Sequence, residues 1–203
     1  MTDSNGYAML IGGKAVSGAE QLQVLNPATE QVIASVPDAS EADLDAAVAA
    51  ARAAQPAWAA KTMDERRAVL NAMGDAILAN VDELKRLLTS EQGKPHHEAE
   101  GEVIGAGYWL KGAASLDLPR EVVEDSAERR VETRRVPLGV VGAIAPWNFP
   151  LILAMFKIGP GLLTGNTMVL KPSPFTPLTT LRFAELVRDI VPAGVLNVIT
   201  GGD

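Results

Sequence analysis

The first third of the chain changes from strand-like to helical patterning. Short apolar runs separated by turns at Gly12-Gly13 and Asn26-Pro27 predict small strands over residues 7–36. From Ser40 onward, apolar residues recur every three or four positions, which is typical of helices that bury one face. The change predicts a layer of helices that follows a few short strands.

Two capping boxes mark where the first two helices begin. Ser40 stands three residues before Asp43, and Thr62 stands three residues before Glu65. We expect Pro56 to interrupt the first of these helices, because proline removes a backbone donor and clashes with the preceding turn.

Two more helices and a hairpin complete this part of the chain. Leu84, Leu87 and Leu88 predict a third helix that ends at Gly93, and a fourth is expected over residues 98–111. Residues 120–136 then alternate in polarity around a turn at 125–127, which predicts an exposed β-hairpin.

From Gly139 onward, short apolar strands alternate with helices. This alternation predicts a parallel sheet with helical crossovers. The predicted fold is therefore α/β: a Rossmann-like parallel sheet with helices, an N-terminal helical layer and one inserted hairpin. A last strand at 195–199 would leave an exposed sheet edge, so we expect the chain alone to be oligomeric or aggregation-prone. The expected elements are a strand at 139–145, a helix at 150–164, a strand at 167–171, a helix at 177–190 and a strand at 195–199.

Composition removes several functional classes. The 203 residues include no cysteine, which excludes disulfides, cysteine-based zinc sites and a thiol nucleophile from this chain. The formal net charge of −7 argues against nucleic-acid or anionic-membrane partners.

An uncharged stretch of 21 residues, 136–156, is long enough to span a bilayer, but three prolines interrupt it. No signal peptide is evident, and we expect a cytoplasmic location.

Candidate chemistry lies where the first two predicted parallel strands end. Ligands bind at the carboxyl ends of such strands, where Asn148 and Lys171 are found. Asn148 could cap the following helix or donate its amide to a ligand. Lys171 could be a solvated charge or a donor to ribose or phosphate oxygens. The residues alone leave both alternatives open.

Common motifs for phosphate, nucleophile and metal sites are missing. The segment Gly159-Pro160-Gly161 begins like a dinucleotide-binding fingerprint, but the third glycine of that motif is missing. The segment also lies at a predicted helix end, whereas the motif requires a turn from a strand into a helix. Neither a phosphate loop nor a nucleophile elbow occurs. His96 and His97 are adjacent without another ligand group nearby in sequence, so we expect no metal site.

Three segments carry a family resemblance: Pro137 to Leu186, with its PWNFP and GNTMVLKPS motifs, Asn26-Pro27-Ala28-Thr29, and Glu91-Gln92-Gly93-Lys94-Pro95. Through them the chain resembles the aldehyde dehydrogenase superfamily over essentially its whole length. The resemblance implies NAD- or NADP-dependent oxidation of an aldehyde to a carboxylic acid through a cysteine thioester. The family's catalytic cysteine and catalytic domain would follow residue 203, so the chain alone is expected to be inactive.

The resemblance also implies roles for individual residues. Asn148 would help form the oxyanion hole, and Lys157 matches a lysine near the active centre, although a purely structural role is equally expected. Lys171 would bind the adenosine ribose. The other cofactor positions would be Ile144, Ala145, Pro146, Trp147, Ser173 and Pro174, and the apolar wall of the aldehyde tunnel would be Phe149, Leu153 and Phe156, which could equally be ordinary helix core.

Domain boundaries follow from the same resemblance. Residues 1–119 would begin the cofactor-binding domain, 120–136 would be its oligomerisation hairpin, and 137–203 would continue that domain, with a homo-oligomer (a dimer or tetramer in the complete enzyme) as the assembly. Many NAD-preferring members carry a glutamate where Pro174 stands, so NADP use is a hypothesis. The alternative to an enzyme is a non-catalytic nucleotide-binding or oligomerisation module.

Overall fold

A computed structural model describes residues 6–202, and their strands form three separate sheets. The strands are β1 Met9–Ile11, β2 Lys14–Val16, β3 Glu20–Leu25, β4 Val32–Asp38, β5 Glu121–Asp125, β6 Arg130–Thr133, β7 Val140–Ile144, β8 Thr167–Lys171 and β9 Leu196–Val198. The helices are α1 Glu41–Ala60, α2 Met63–Ala79, α3 Val81–Gln92, α4 His96–Ala114, α5 Pro150–Leu163 and α6 Leu178–Val187. The α/β class, the helical layer and the hairpin β5–β6 are confirmed.

The two local helix starts are also confirmed. Ser40 and Asp43 form a reciprocal capping box at α1, and Thr62 and Glu65 form another at α2. Each box satisfies backbone donors that would otherwise lack partners in the first helical turn. This satisfaction needs only residues three apart in sequence, which is why the pattern was sufficient to place these helix starts.

The prediction that Pro56 interrupts the first helix was wrong. Helix α1 continues through Pro56 to Ala60. Two residues beyond the proline, Trp58 is buried, and its indole Nε1–H donates to the carbonyl of Leu162 at 3.0 Å. Tertiary packing of this large side chain favours the helical path even though proline removes one hydrogen bond.

The central sheet is mixed in direction, whereas a parallel sheet was predicted. Its order is β2-β1-β9-β8-β7; β7, β8 and β9 are parallel, but β1 pairs antiparallel with both β2 and β9. The expected exposed edge at β9 was therefore wrong, because β1 covers it. Leu10 of β1 lies opposite Val198 of β9. Because these residues are far apart in sequence, local patterns could not predict the pairing.

A buried asparagine fixes the amino-terminal hairpin on the sheet. Asn197 accepts the backbone N–H of Gly12 at 2.8 Å and donates to the carbonyls of Met168 at 3.2 Å and Gly194 at 2.9 Å. A buried amide with all these partners avoids the cost of an unsatisfied polar group. The contact ties the β1–β2 turn to β8 and to the residues before β9.

Two glycines let helices α2 and α4 approach closely. A methyl group added to Gly74 would stand 2.8 Å from the carbonyl oxygen of Gly107. One added to Gly107 would meet Leu78 at 2.8 Å. Cγ of Lys111 is equally near to the group added at Gly74 and could move, but the Gly107 carbonyl oxygen is backbone and cannot move aside without shifting the helix. By contrast, Gly112 in α4 has nothing within 4 Å.

We predict opposite effects of two glycine-to-alanine substitutions. Gly74→Ala should lower the free energy of unfolding by about 2 kcal/mol or more through overpacking. Gly112→Ala should raise it by about 0.5–1 kcal/mol, since exposed helical glycine is intrinsically unfavourable. Urea denaturation of both variants measures the difference. Equal stability of the two variants would contradict the close crossing.

Candidate active site at the carboxyl ends of β7 and β8

The two strand ends that carry the candidate residues are neighbours. Ile144 is opposite Lys171 in the parallel pair of β7 with β8, and the N–H of Ala145 donates to the carbonyl of Lys171 at 3.0 Å. The structure therefore brings the PWNFP and LKPSP segments to one edge of the sheet. This juxtaposition was expected, because consecutive parallel strands end at the same edge.

The segment that leaves β7 is exposed up to the start of α5. Ala145 is buried, whereas Ile144 is 73% and Trp147 56% exposed, and Pro146 and Asn148 are also exposed. An exposed indole and an exposed branched aliphatic side chain three residues apart in one segment are typical of a binding site or an interface.

Asn148 does not cap the helix that follows it. Phe149 occupies the cap position of α5, without a capping side chain. The first backbone amides of the helix, those of Leu151 and Ile152, donate instead to Oε1 of Glu102 at 3.0 and 3.2 Å. Within residues 6–202, the side-chain amide of Asn148 has no hydrogen-bond partner and remains available to a ligand.

Glu102 and its partner Lys94 are functional candidates that sequence reasoning missed. Both are buried, and Nζ of Lys94 lies 2.5 Å from Oε2 of Glu102. The carboxylate also stabilises the positive end of the α5 dipole. No local signal reveals this cap, because Glu102 precedes the amides it accepts by about 50 residues. Lys94 was noted only as part of a motif.

Lys171 borders an open cleft of about 330 Å³ beside the ends of β8 and β9. The backbone of Gly201 passes close to the lysine stem: an added Cβ would lie 3.5 Å from Cε of Lys171. Within the described residues, the ammonium group makes no ion pair. The cleft thus offers an uncommitted donor and polar acceptors, a set that fits the hydroxyls of a ribose. Its remaining lining is Asp38, Ala39, Ser40, Glu41, Leu44, Ile199, Thr200 and Gly202.

The loop after Lys171 is ordered by its own serine. The buried Ser173 accepts the N–H of Phe175 on its hydroxyl at 3.3 Å, and its carbonyl accepts the N–H of Thr176 at 3.2 Å. Pro174, which stands between them, is half-buried. Position 174 therefore supplies no carboxylate at this edge of the sheet.

Helix α6, which follows this loop, is capped by a second buried glutamate. Oε2 and Oε1 of Glu91 accept the amides of Leu178 at 2.6 Å and Thr179 at 2.9 Å. Burial raises the pKa of Glu91 to about 7, although these hydrogen bonds oppose the rise. The helix that follows each of β7 and β8 thus takes its cap from the helical layer.

An apolar strip lies on the exposed face of α5. Phe149 is 49% and Phe156 38% exposed, and Leu153 between them is half-buried. Their spacing of four and three residues places them on one side of the helix. Since the opposite face of α5 forms the core, the interpretation of these three residues as ordinary core does not fit.

Trp109 of α4 extends this strip, and it was not predicted. Its ring centroid lies 3.9 Å from that of Phe156. A lone exposed tryptophan on a helix carries no sequence signal of such pairing. Lys157, the other candidate on α5, donates to the carbonyl of Leu153 one turn earlier at 3.3 Å, a contact within its own helix.

Metal binding and membrane spanning find no support in the described part of the chain. Among residues 6–202, no three histidine, aspartate or glutamate side chains come together in an arrangement that could hold a metal ion. His96 instead contacts the hydroxyl of Thr89 through Nδ1 at 3.3 Å. Nor does any helix of the described residues combine the length and apolar character needed to cross a bilayer.

Comparison with known proteins identifies the family. The model of the aldehyde dehydrogenase family matches residues 15–203. The chain belongs to the aldehyde dehydrogenase family. It is 43% identical to phenylacetaldehyde dehydrogenase of Pseudomonas fluorescens in an alignment that covers 96% of this chain and 42% of that relative. The family resemblance carried by the sequence motifs is confirmed. The expectation that the chain corresponds to only an N-terminal portion of such a protein is confirmed as well.

Solved aldehyde dehydrogenase structures share the fold almost completely. An E. coli enzyme described as NADP-dependent superposes with a TM-score of 0.94 at 38% identity, covering 100% of this chain and 44% of that one. The NAD⁺ complex of a Bacillus cereus aldehyde dehydrogenase gives a TM-score of 0.94 at 36% identity, with 97% and 42% covered. The chain thus spans about two fifths of the length of these oxidoreductases.

The raised pKa of Glu91 predicts a distinctive pH dependence of stability. In the folded state the carboxyl group titrates at about 7, above the value of about 4.5 expected when unfolded. Its stabilising contribution is complete below about pH 4.5 and is lost as pH rises through about 7. The free energy of unfolding of the parent chain minus that of Glu91→Gln should therefore fall by roughly 3 kcal/mol across this window.

Urea denaturation at several pH values measures this difference. Glu98→Gln is the control, because Glu98 is an exposed carboxylate near the start of α4. A difference between the parent chain and Glu91→Gln that is constant with pH, or that rises, would contradict the assignment.

Proposed function

We propose that this chain is the amino-terminal, cofactor-binding part of an NAD(P)-dependent aldehyde dehydrogenase that oxidises an aldehyde to a carboxylic acid through a cysteine thioester. The observation that carries the proposal is the uncommitted amide of Asn148 at the end of β7, next to the strand that ends in Lys171. The chain itself contains no cysteine. The nucleophile therefore has to come from residues beyond these 203, and the chain alone is expected to be inactive.

Asn148 would bind the carbonyl oxygen of the aldehyde. When a thiolate attacks that carbon, negative charge develops on the oxygen, and a neutral amide donor stabilises the charge without itself titrating. The donor must be free of other partners, and in the described residues the Asn148 amide is free because Glu102 caps α5 in its place. The exposed strip of Phe149, Leu153 and Phe156 would guide an apolar aldehyde toward it.

The cofactor would lie across the ends of β7, β8 and β9. A nicotinamide held there would supply the acceptor for the hydride that leaves the substrate carbon. Lys171 would donate to the adenosine ribose in the cleft beside Gly201, while Ile144, Ala145, Pro146 and Trp147 would follow the nicotinamide half, and Ser173 and Pro174 would complete the loop. The fit rests on the uncommitted ammonium group and on the close backbone approach at the cleft.

Both NAD and NADP remain candidates for this cofactor. A carboxylate near the ribose repels a 2′-phosphate, and Pro174 removes one such group. Asp38 and Glu41 nevertheless line the same cleft as Lys171 and keep it partly acidic. The two solved relatives described above, one NADP-dependent and one an NAD⁺ complex, are consistent with use of either cofactor within the family.

The hairpin β5–β6 supports a second role, in assembly. Val122, Val123 and Val131 are exposed on it, at 46%, 65% and 40%. An exposed two-stranded ribbon with apolar side chains is a surface onto which another chain can add strands. We propose that residues 120–136 join subunits of a homo-oligomer, while residues 1–119 and 137–203 build the cofactor-binding domain. A module that only binds nucleotide or assembles is the alternative to an enzyme.

One assay tests the enzyme assignment and the cofactor choice together. The full-length protein should reduce NAD and NADP with phenylacetaldehyde or another apolar aldehyde, whereas the 203-residue chain should not. Pro174→Glu should lower kcat/KM for NADP about tenfold relative to NAD, because like charges are then brought together. Absence of activity in the full-length protein would favour the non-catalytic module. A parent preference for NAD of several orders of magnitude would overturn the NADP hypothesis.

A further inference from the structure

One buried ion pair is the main support of the segment that carries Asn148. The side chains of Lys94 and Glu102 are only 7% and 0% exposed, and their charged atoms lie 2.5 Å apart. Glu102 lies in α4, and Lys94 lies in the turn between α3 and α4. A buried pair of this kind contributes little net stability, because desolvation offsets the attraction, but it restricts the geometry of whatever it contacts.

The pair contacts the candidate oxyanion segment from both ends. Nζ of Lys94 donates to the carbonyl of Asn148 at 3.0 Å and lies 3.9 Å from the centre of the Phe149 ring. Glu102 accepts the amides of Leu151 and Ile152. Residues 148–152 are thus held by two side chains that hold each other.

The turn between β7 and α5, residues 146–149, is oriented by the Lys94 contact and by no other hydrogen bond in the described part of the chain. The N–H of Ala145 donates to β8, and the carbonyl of Phe149 accepts the first turn of α5. Between those two points, in residues 6–202, the contact from Lys94 to the Asn148 carbonyl is the one hydrogen bond present. The direction of the Asn148 side chain therefore depends on a backbone that Lys94 fixes.

We propose that Lys94 and Glu102 are positioning residues for the Asn148 amide. They hold residues 148–152 so that the amide points toward the substrate oxygen before the reaction begins. The inference rests on the proposed role of Asn148 and adds two residues that touch neither substrate nor cofactor. Preorganised donors stabilise developing charge without a cost of reorientation, so misplacing the amide should slow the chemical step more than it weakens binding.

A double-mutant cycle in the full-length enzyme tests this proposal. Lys94→Met keeps the length of the stem and removes the charge, Asn148→Ala removes the amide, and Lys111→Met alters a surface lysine of α4 as the control. Asn148→Ala should lower kcat/KM by about 10²-fold. Lys94→Met should lower it about tenfold through kcat, with the dissociation constant of NAD(P) unchanged.

Non-additivity is the diagnostic result. If Lys94 acts through the amide, Lys94→Met should have less than about a twofold effect in the Asn148→Ala background. A purely stabilising role would give the same loss in both backgrounds and would overturn the proposal, as would full activity of Lys94→Met. If Asn148→Ala alone retained activity, the oxyanion assignment itself would fail, and positioning would fail with it.

A second variant covers the case in which Lys94→Met does not fold. The double substitution Lys94→Met/Glu102→Gln leaves no unpaired buried charge and keeps an oxygen acceptor for the α5 amides. It should show the same tenfold loss of kcat and the same non-additivity with Asn148→Ala. Wild-type kcat in this folded variant would contradict the inference.

Discussion

The geometry of the candidate site depends on two buried glutamates that cap helices distant from them in sequence. Glu102 holds the amino end of α5, and Glu91 holds the amino end of α6. Neither helix has a capping side chain of its own. The helical layer formed by the first half of the chain thus sets where the loops after β7 and β8 turn into helices, and the first of these helix starts lies next to Asn148.

Each of these caps requires a buried carboxylate, and each leaves the side chains of the loop before the helix free of a capping role. Burying a carboxylate is unfavourable, which is why the pKa of Glu91 rises to about 7, while the backbone donors and the helix dipoles offset part of that cost. As a result, no side chain of the loops after β7 and β8 is used for capping. The Asn148 amide, exposed and unpartnered within the described residues, is the clearest result of this division of roles.

The sequence predicted what depends on near neighbours and missed what depends on distant ones. The boxes at Ser40 and Thr62, the β/α alternation and the hairpin were visible because their partners lie a few residues away. The pairing of β1 with β9, the continuation of α1 past Pro56 and the caps from Glu91 and Glu102 join residues through tertiary packing. Asn148 and Lys171 were located from the predicted strand ends, and the family resemblance implied their roles; the contacts of Lys94 and Glu102 with residues 148–152 had no local signal.

Amide hydrogen exchange tests most directly whether Glu102 organises the start of α5. In the 203-residue chain, Glu102→Ala should abolish protection at Leu151 and Ile152, because the acceptor is lost, whereas Glu102→Gln should retain it. Glu100→Ala, a change on a more exposed face of the same helix, should leave both amides protected. Protection at Leu151 and Ile152 that survives in a folded Glu102→Ala would contradict the account.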